Sequence, residues 1–144
     1  MHIKKGIISG IVAGLVLFFL DQIIDVVMEV TGAPLVPYYN ASSVILGYSN
    51  TQGLILQNVI LAIFLGILMG VTFSIFYSSI PKGGWMKGLI YGFLFYLISD
   101  VPSILRLNIF MPFPEGVMAH FLIKGLIEFL IVGIVLSKVY ENTK

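Results

Sequence analysis

Three acids, Asp21, Asp25 and Glu29, stand four residues apart in the stretch "LDQIIDVVMEV", directly behind an uncharged and mostly aliphatic run. On a helix that spacing puts all three on one face. Further along the chain, Asp100 and Arg106 sit in a second apolar stretch, and His120, Lys124 and Glu128 are spaced four apart in a third. Such residue types could hold a proton or an ion, pair with one another, or ligate a metal. A divalent metal is disfavoured because Lys124 stands in the middle of the His120 to Glu128 row and would repel it. Haem ligation is disfavoured further by depth, since His2 and His120 fall on opposite sides of the membrane in the topology derived below. Hydrolytic or acyl-transfer chemistry would need a nucleophile beside His120; Ser99 and Ser103 lie at a similar depth but carry no recognisable motif. No catalytic residue, metal ligand or cofactor is therefore assigned.

The elements that must carry these groups follow from composition. Of the 144 residues, 58% are hydrophobic and 10% charged, and the mean hydropathy is +1.04. Soluble domains use roughly a quarter charged residues, so these values specify an integral membrane protein. The net charge of +1 offers nothing to nucleic acid, and with no cysteine there is neither a disulfide nor a thiolate. At about 20 residues per crossing the chain makes four spans in a single domain. They are read at about 5–30, 53–79, 85–107 and 115–140, separated by "TGAPLVP", "PKGG" and "MPFPEG", with a long loop at 31–52. The basic tip and apolar run of the N-terminus imitate a signal peptide, but no small-residue cleavage site follows and the acids continue the helical pattern. It is read as a retained first helix, and the whole as an all-α four-helix bundle.

Lys4, Lys5, Lys82, Lys87, Lys138 and Lys144 gather at the two termini and the second connection, leaving Arg106 toward the other side. The lysine asymmetry predicts a multi-pass protein of the inner (cytoplasmic) membrane with both termini cytoplasmic. Tyr77, Trp85 and Tyr140 then form the inner aromatic belt, with Tyr38, Tyr39 and Tyr48 in the outer loop beside an Asn40-Ala41-Ser42 sequon read as spacer.

Small residues predict how the helices meet, because lipid removes the hydrophobic drive between them and leaves close backbone approach as the main attraction. Gly6, Gly10 and Gly14 recur every four residues on the first helix; Gly66, Gly70 and Ser74 on the second; Gly88 and Gly92 on the third. The fourth carries Gly125 and Gly133. "KGIISGIVAGLVLFFLD" also lies beside "KGLIYGFLFYLISD", and "GVTFSIFY" beside "GIVLSKVY". This pattern suggests a duplicated helical hairpin whose halves share orientation, related by an axis along the membrane normal.

Asp21 lies seven residues after Gly14, nearly two turns, so the acids continue the glycine stripe into the bundle. At about 1.5 Å per residue, Asp21, Asp100 and Lys124 all lie about 20 to 24 Å from the cytoplasmic lysines of their helices. Asp25, Arg106 and His120 come about one turn higher, and Glu128 about one turn lower. A charge at such depth costs at least about 2.5 kcal/mol unless paired or hydrated. One reading is a salt-bridge network that only fixes helix register. The other is an outward-facing pocket of Asp21, Asp25, Asp100, Arg106, His120, Lys124 and Glu128 that binds, and moves, a small solute, ion or proton. Carboxylates outnumber Lys124 and Arg106, which favours the second. Pro102, two residues after Asp100, predicts either a kink beside the pocket or a helix end near 101. The partner expected is the lipid bilayer; a homo-oligomer, and an accessory role docked in a larger membrane complex, stay open, with a membrane-embedded enzyme third.

The strings "GILMGVTFSIFYSSIP", "KGLIYGFLFYL" and "MPFPEG…AHFLIKGL", spread over residues 60–140, resemble small four-helix inner-membrane proteins of the domain-of-unknown-function type. The resemblance implies architecture only, and the first helix with its acids lies outside it.

Overall fold

The computed structural model describes residues 2–30, 52–81, 83–110 and 115–143. The loop of the Asn40 sequon and Tyr38, Tyr39 and Tyr48 lies outside them, as do Lys82, Met111 and Lys144, and so do the side chains of Asp25, Met28 and Glu29 within the first helix. Four helices result: α1 Ile3–Val30, α2 Gln52–Phe76, α3 Trp85–Phe110 and α4 Glu115–Asn142. Each is long and apolar enough to cross a membrane. They run up, down, up and down, so Ile3, Phe76, Trp85 and Asn142 share one end, called here the near end. Two boundaries differ from the sequence reading. α2 stops at Phe76 and the chain turns over 77–80, and α3 continues through Pro102 to Phe110.

α3 passes its proline by changing pitch. Tyr96–Asp100 form a π turn, in which the Val101 N–H bonds the Tyr96 carbonyl. Proline has no N–H, and its ring crowds the carbonyl four residues back; widening the helix just before it relieves both problems without ending the helix. The half-helix beyond, Val101–Phe110, buries none of its residues.

Glycine does the packing. A Cβ built on Gly10 would stand 2.5 Å from the Gly66 carbonyl oxygen, and one on Gly14 2.5 Å from that of Ala62. Backbones this close leave room only for hydrogen, and dispersion between them replaces the absent hydrophobic drive. The α3–α4 pair repeats the arrangement residue for residue. Gly6 faces the Gly70 carbonyl and Ser74 Cβ; Gly88 faces the Gly133 carbonyl and Ser137 Cβ. Likewise Gly70 abuts Gly6 and Gly10, and Gly133 abuts Gly88 and Gly92. The two hairpins thus share one packing plan, with α1 matching α3 and α2 matching α4.

The plan breaks in two places. Gly14 corresponds to Tyr96, whose ring instead lies against Gly125, so α3 and α4 part where α1 and α2 remain in contact. Between the hairpins, α1 packs along α4, whereas α2 and α3 approach much less closely.

At the near end α2 and α3 are joined by side chains. Phe73 and Tyr91 stack edge to face at 5.0 Å, and Tyr140 meets Phe73 at 5.4 Å and Tyr77 at 4.8 Å. Tyr140 is thus buried in the core and not displayed to lipid, unlike Trp85, which is exposed. Lys87 is also buried: Nζ donates to the Tyr77 carbonyl at 2.8 Å and sits 3.8 Å from that residue's ring centroid. Glu141 accepts from the Tyr77 hydroxyl at 3.0 Å and the Gly84 N–H at 3.1 Å, tying the 2–3 connection to α4.

Candidate functional site

Toward the opposite, far end the parting of the helices leaves a cleft of about 250 Å³. α1 lines it with Leu17, Phe18 and Asp21, α2 with Asn58, Leu61, Ala62 and Leu65, α3 with Asp100, and α4 with Glu128 and Phe129. Leu61 is 63% exposed and lies well inside the α2 span, so the cleft has a rim among lipid-facing residues.

Lys124 is the electrostatic centre of this layer. Its Nζ lies 2.6 Å from Asp21 Oδ1 and 3.9 Å from Glu128 Oε1, one turn along the same helix. Lys124 and Glu128 are buried, while the Asp21 side chain keeps 39% of its surface exposed. Asp21 also accepts from Gln22 Nε2 at 2.9 Å. A pair this short is a charge-assisted hydrogen bond, and in a low-dielectric layer each partner makes the other's charge tolerable.

Asp100 closes the π turn, and its carboxylate rests directly over Gly125, where any Cβ would collide with Oδ2. The seat is a consequence of the glycine on α4 together with the change of helical pitch, which alters the direction in which residue 100 points. Tyr96, one turn earlier, donates from its hydroxyl to the Leu122 carbonyl at 2.9 Å and holds the π turn against α4.

Asp21, Asp100 and Glu128 therefore line one cleft, and Lys124, outside the lining, is joined to it through Asp21 and Glu128. The other candidates stand apart. His120 is buried one turn beyond Lys124 against the Phe121 ring, and it is not part of the cleft lining. Arg106 is exposed with its guanidinium over Phe110 at 5.8 Å. The expected upper layer of Asp25, His120 and Arg106 thus lacks its arginine, for a helical reason: six residues separate Arg106 from Asp100, about 240° of rotation, so both cannot face one cleft. The Asp25 side chain lies outside the described residues. Ser103 Oγ donates to the Ser99 carbonyl at 2.6 Å, so it is turned onto its own helix. Among the described residues no group of three metal-ligating side chains is placed to hold a metal ion.

The sequence reading passed over Asn58, Phe18 and Phe129. Asn58 carried a usable signal, being a lone amide in the apolar run "QNVILAIFLG". The phenylalanines carried none, since their types are ordinary in any span. Gly125 was read as a packing residue; what it accommodates is a carboxylate.

Comparison with protein-family models, with curated proteins and with solved structures finds no match, so the reading of the site rests on its own geometry.

Proposed function

We propose that this multi-pass membrane protein binds a small solute or ion, a cation or proton by its charge, in the cleft between its four helices, and passes it through the membrane. The observation that carries the reading is the cleft itself: Asp21, Asp100 and Glu128 converge on a space of about 250 Å³ with Lys124 held against Asp21 at 2.6 Å. Within each hairpin the helices are already held by glycine contacts, so these groups are not needed for that packing; the Asp21–Lys124 pair instead bridges α1 and α4. Each charge at this depth works against insertion by about 2.5 to 3.5 kcal/mol, so a layer of them is retained for what it binds. Among the described side chains that meet here, Asp21, Asp100 and Glu128 stand against Lys124, which favours a cation or a proton. The lysines at the near end orient the chain with both termini in the cytoplasm and the cleft toward the outside.

The test is reconstitution into vesicles loaded with a pH-sensitive dye, with sodium, potassium and tetramethylammonium each imposed as a gradient. Flux above empty vesicles that falls at least tenfold in Asp100→Asn supports transport. Vesicle flux at background for every gradient, together with an unchanged melting temperature in all three salts, rejects binding and transport alike. Orientation is read separately, by labelling cysteines at positions 39, 82 and 115 with an impermeant reagent; reaction at 82 alone in intact cells reverses the topology.

A second reading, an accessory subunit of a larger membrane complex, is favoured by the half-helix Val101–Phe110, which buries no residue and exposes Arg106. Co-purification at fixed stoichiometry with a larger assembly decides for it.

A further inference from the structure

The two hairpins are alike in their internal packing but not in how they meet each other. The α1–α4 contact and the α2–α3 contact are counterparts under the internal repeat, yet the first is close and the second is not. The same alignment matches Tyr91 on α3 with Ser9 on α1, and Phe95 with Ala13. Ser9 and Ala13 are fully buried, and on α4 the counterparts of Met69 and Phe73 are Val132 and Leu136, also fully buried. Small residues on one helix thus accompany the close approach of α1 and α4. Across the gap between α2 and α3, by contrast, stands a tyrosine. Its ring meets Phe73 edge to face, and its hydroxyl donates to the Met69 carbonyl at 2.8 Å and pairs with the Thr72 hydroxyl. Phe95, one turn on, backs it at 5.8 Å between centroids.

Interaxial distance is set by the side chains at the contact, so a ring where the other hairpin has a hydroxymethyl group holds two helices apart. Because the ring is pinned at its tip and its edge, it acts as a strut and not as a loose filler. Beyond it toward the far end, α2 and α3 frame the part of the cleft bounded by Leu61, Leu65 and Asp100.

We propose that Tyr91, backed by Phe95, is the strut that keeps α2 and α3 apart, and that the resulting gap, beyond the ring toward the far end, is the entrance to the cleft. This rests on the reading of the cleft as a binding site for its functional meaning, but the strut is measurable without any ligand. Tyr91 is a positioning residue in this scheme; it touches no part of the charged layer.

The absence of native cysteine makes the test direct. Spin labels on cysteines at Leu61 and Ile98, both exposed on α2 and α3, report the gap in nanodiscs. Installing the other hairpin's residues, Tyr91→Ser with Phe95→Ala, shortens the distance by about 2 Å, the spread between helix contacts made by small and by large side chains. Tyr91→Phe keeps the ring, loses the hydroxyl bonds and leaves the distance unchanged. In the same backgrounds a cysteine at Leu65 reacts with a membrane-permeant maleimide at least tenfold more slowly in the double variant than in the parent. An unchanged distance in the double variant overturns the strut. Equal shortening in Tyr91→Phe assigns the gap to the hydroxyl bonds and overturns it too. Shortening without slower reaction at position 65 overturns the entrance. Should the double variant not fold, Tyr91→Leu and Phe95→Ala singly give graded, smaller shortenings, and their absence is equally decisive. Failure of the proposed binding function looks different: the distances change as stated while no salt gradient moves through the protein.

Discussion

The carboxylate of Asp100 occupies the space that a side chain at residue 125 would fill. An acid is thus seated on a glycine of the neighbouring helix, inside the part of the bundle where the internal repeat fails. At the matching places the first hairpin has Phe18 and Ala62, so the seat belongs to one hairpin alone.

Gly125→Ala should evict Asp100 from the cleft. Forcing a methyl into an occupied site typically costs about 1 to 3 kcal/mol, and Asp100→Ala should remove most of that penalty by vacating the space. A double-mutant cycle on thermal unfolding in detergent measures the coupling; strict additivity would mean that the two residues do not meet.

Lys124→Met should leave Asp21 and Glu128 facing each other with no cation between them. Loss of one partner from a buried pair costs about 3 to 5 kcal/mol, and the exposure of Asp21 brings the expected value to about 2 kcal/mol. Asp21→Asn in the same chain should restore most of it, and Asp100→Asn less, since Asp21 is the partner at 2.6 Å. The measurement is melting temperature at neutral and acid pH for the parent and these three variants. Equal rescue by both aspartate changes would contradict the geometry.

Leucine at Gly10 or Gly92 should disrupt the bundle, because both sites face carbonyl oxygens of the partner helix. Leucine at Gly83, with open space around it, should be mild. Gly84 is different although it sits in the same connection: its φ of 60° makes any L-residue strained by about 1 to 2 kcal/mol, and its carbonyl accepts from Ser137 Oγ at 2.9 Å. The expected order of retained monodisperse protein after purification is Gly83, then Gly84, then Gly10 and Gly92. Similar yields from all four would remove the case for glycine-mediated packing.

Tyr77, just beyond the α2 span, has its phenol held above the ordinary value of 10.0 by burial first, and then by the hydrogen bond to and charge of Glu141. The folded value being the higher one, its contribution to stability is intact below pH 10 and disappears as pH climbs through the raised value. Alkaline unfolding in detergent should therefore be less steep in Tyr77→Phe. Identical alkaline limbs would show that the phenol does not take part.

The sequence by itself determined the membrane class, the four helices and the faces on which they meet, because each is a local property: hydropathy over about 20 residues fixes a span, and a glycine every four residues fixes a stripe. It also brought Asp21, Asp100 and Lys124 to one depth, since rise per residue is constant along a helix. Which of the charges meet was decided only by the tertiary structure. Arg106 shared the depth of His120, one turn higher, but its azimuth turns it away from the cleft, and the pitch change at Tyr96–Asp100, which points Asp100 at Gly125, is a response to Pro102 and the packing of α4 together. The cleft is likewise a property of the assembly. It exists because Tyr91 and Tyr96 stand where the other hairpin has Ser9 and Gly14, a difference that acquires meaning only when the two hairpins are laid against each other.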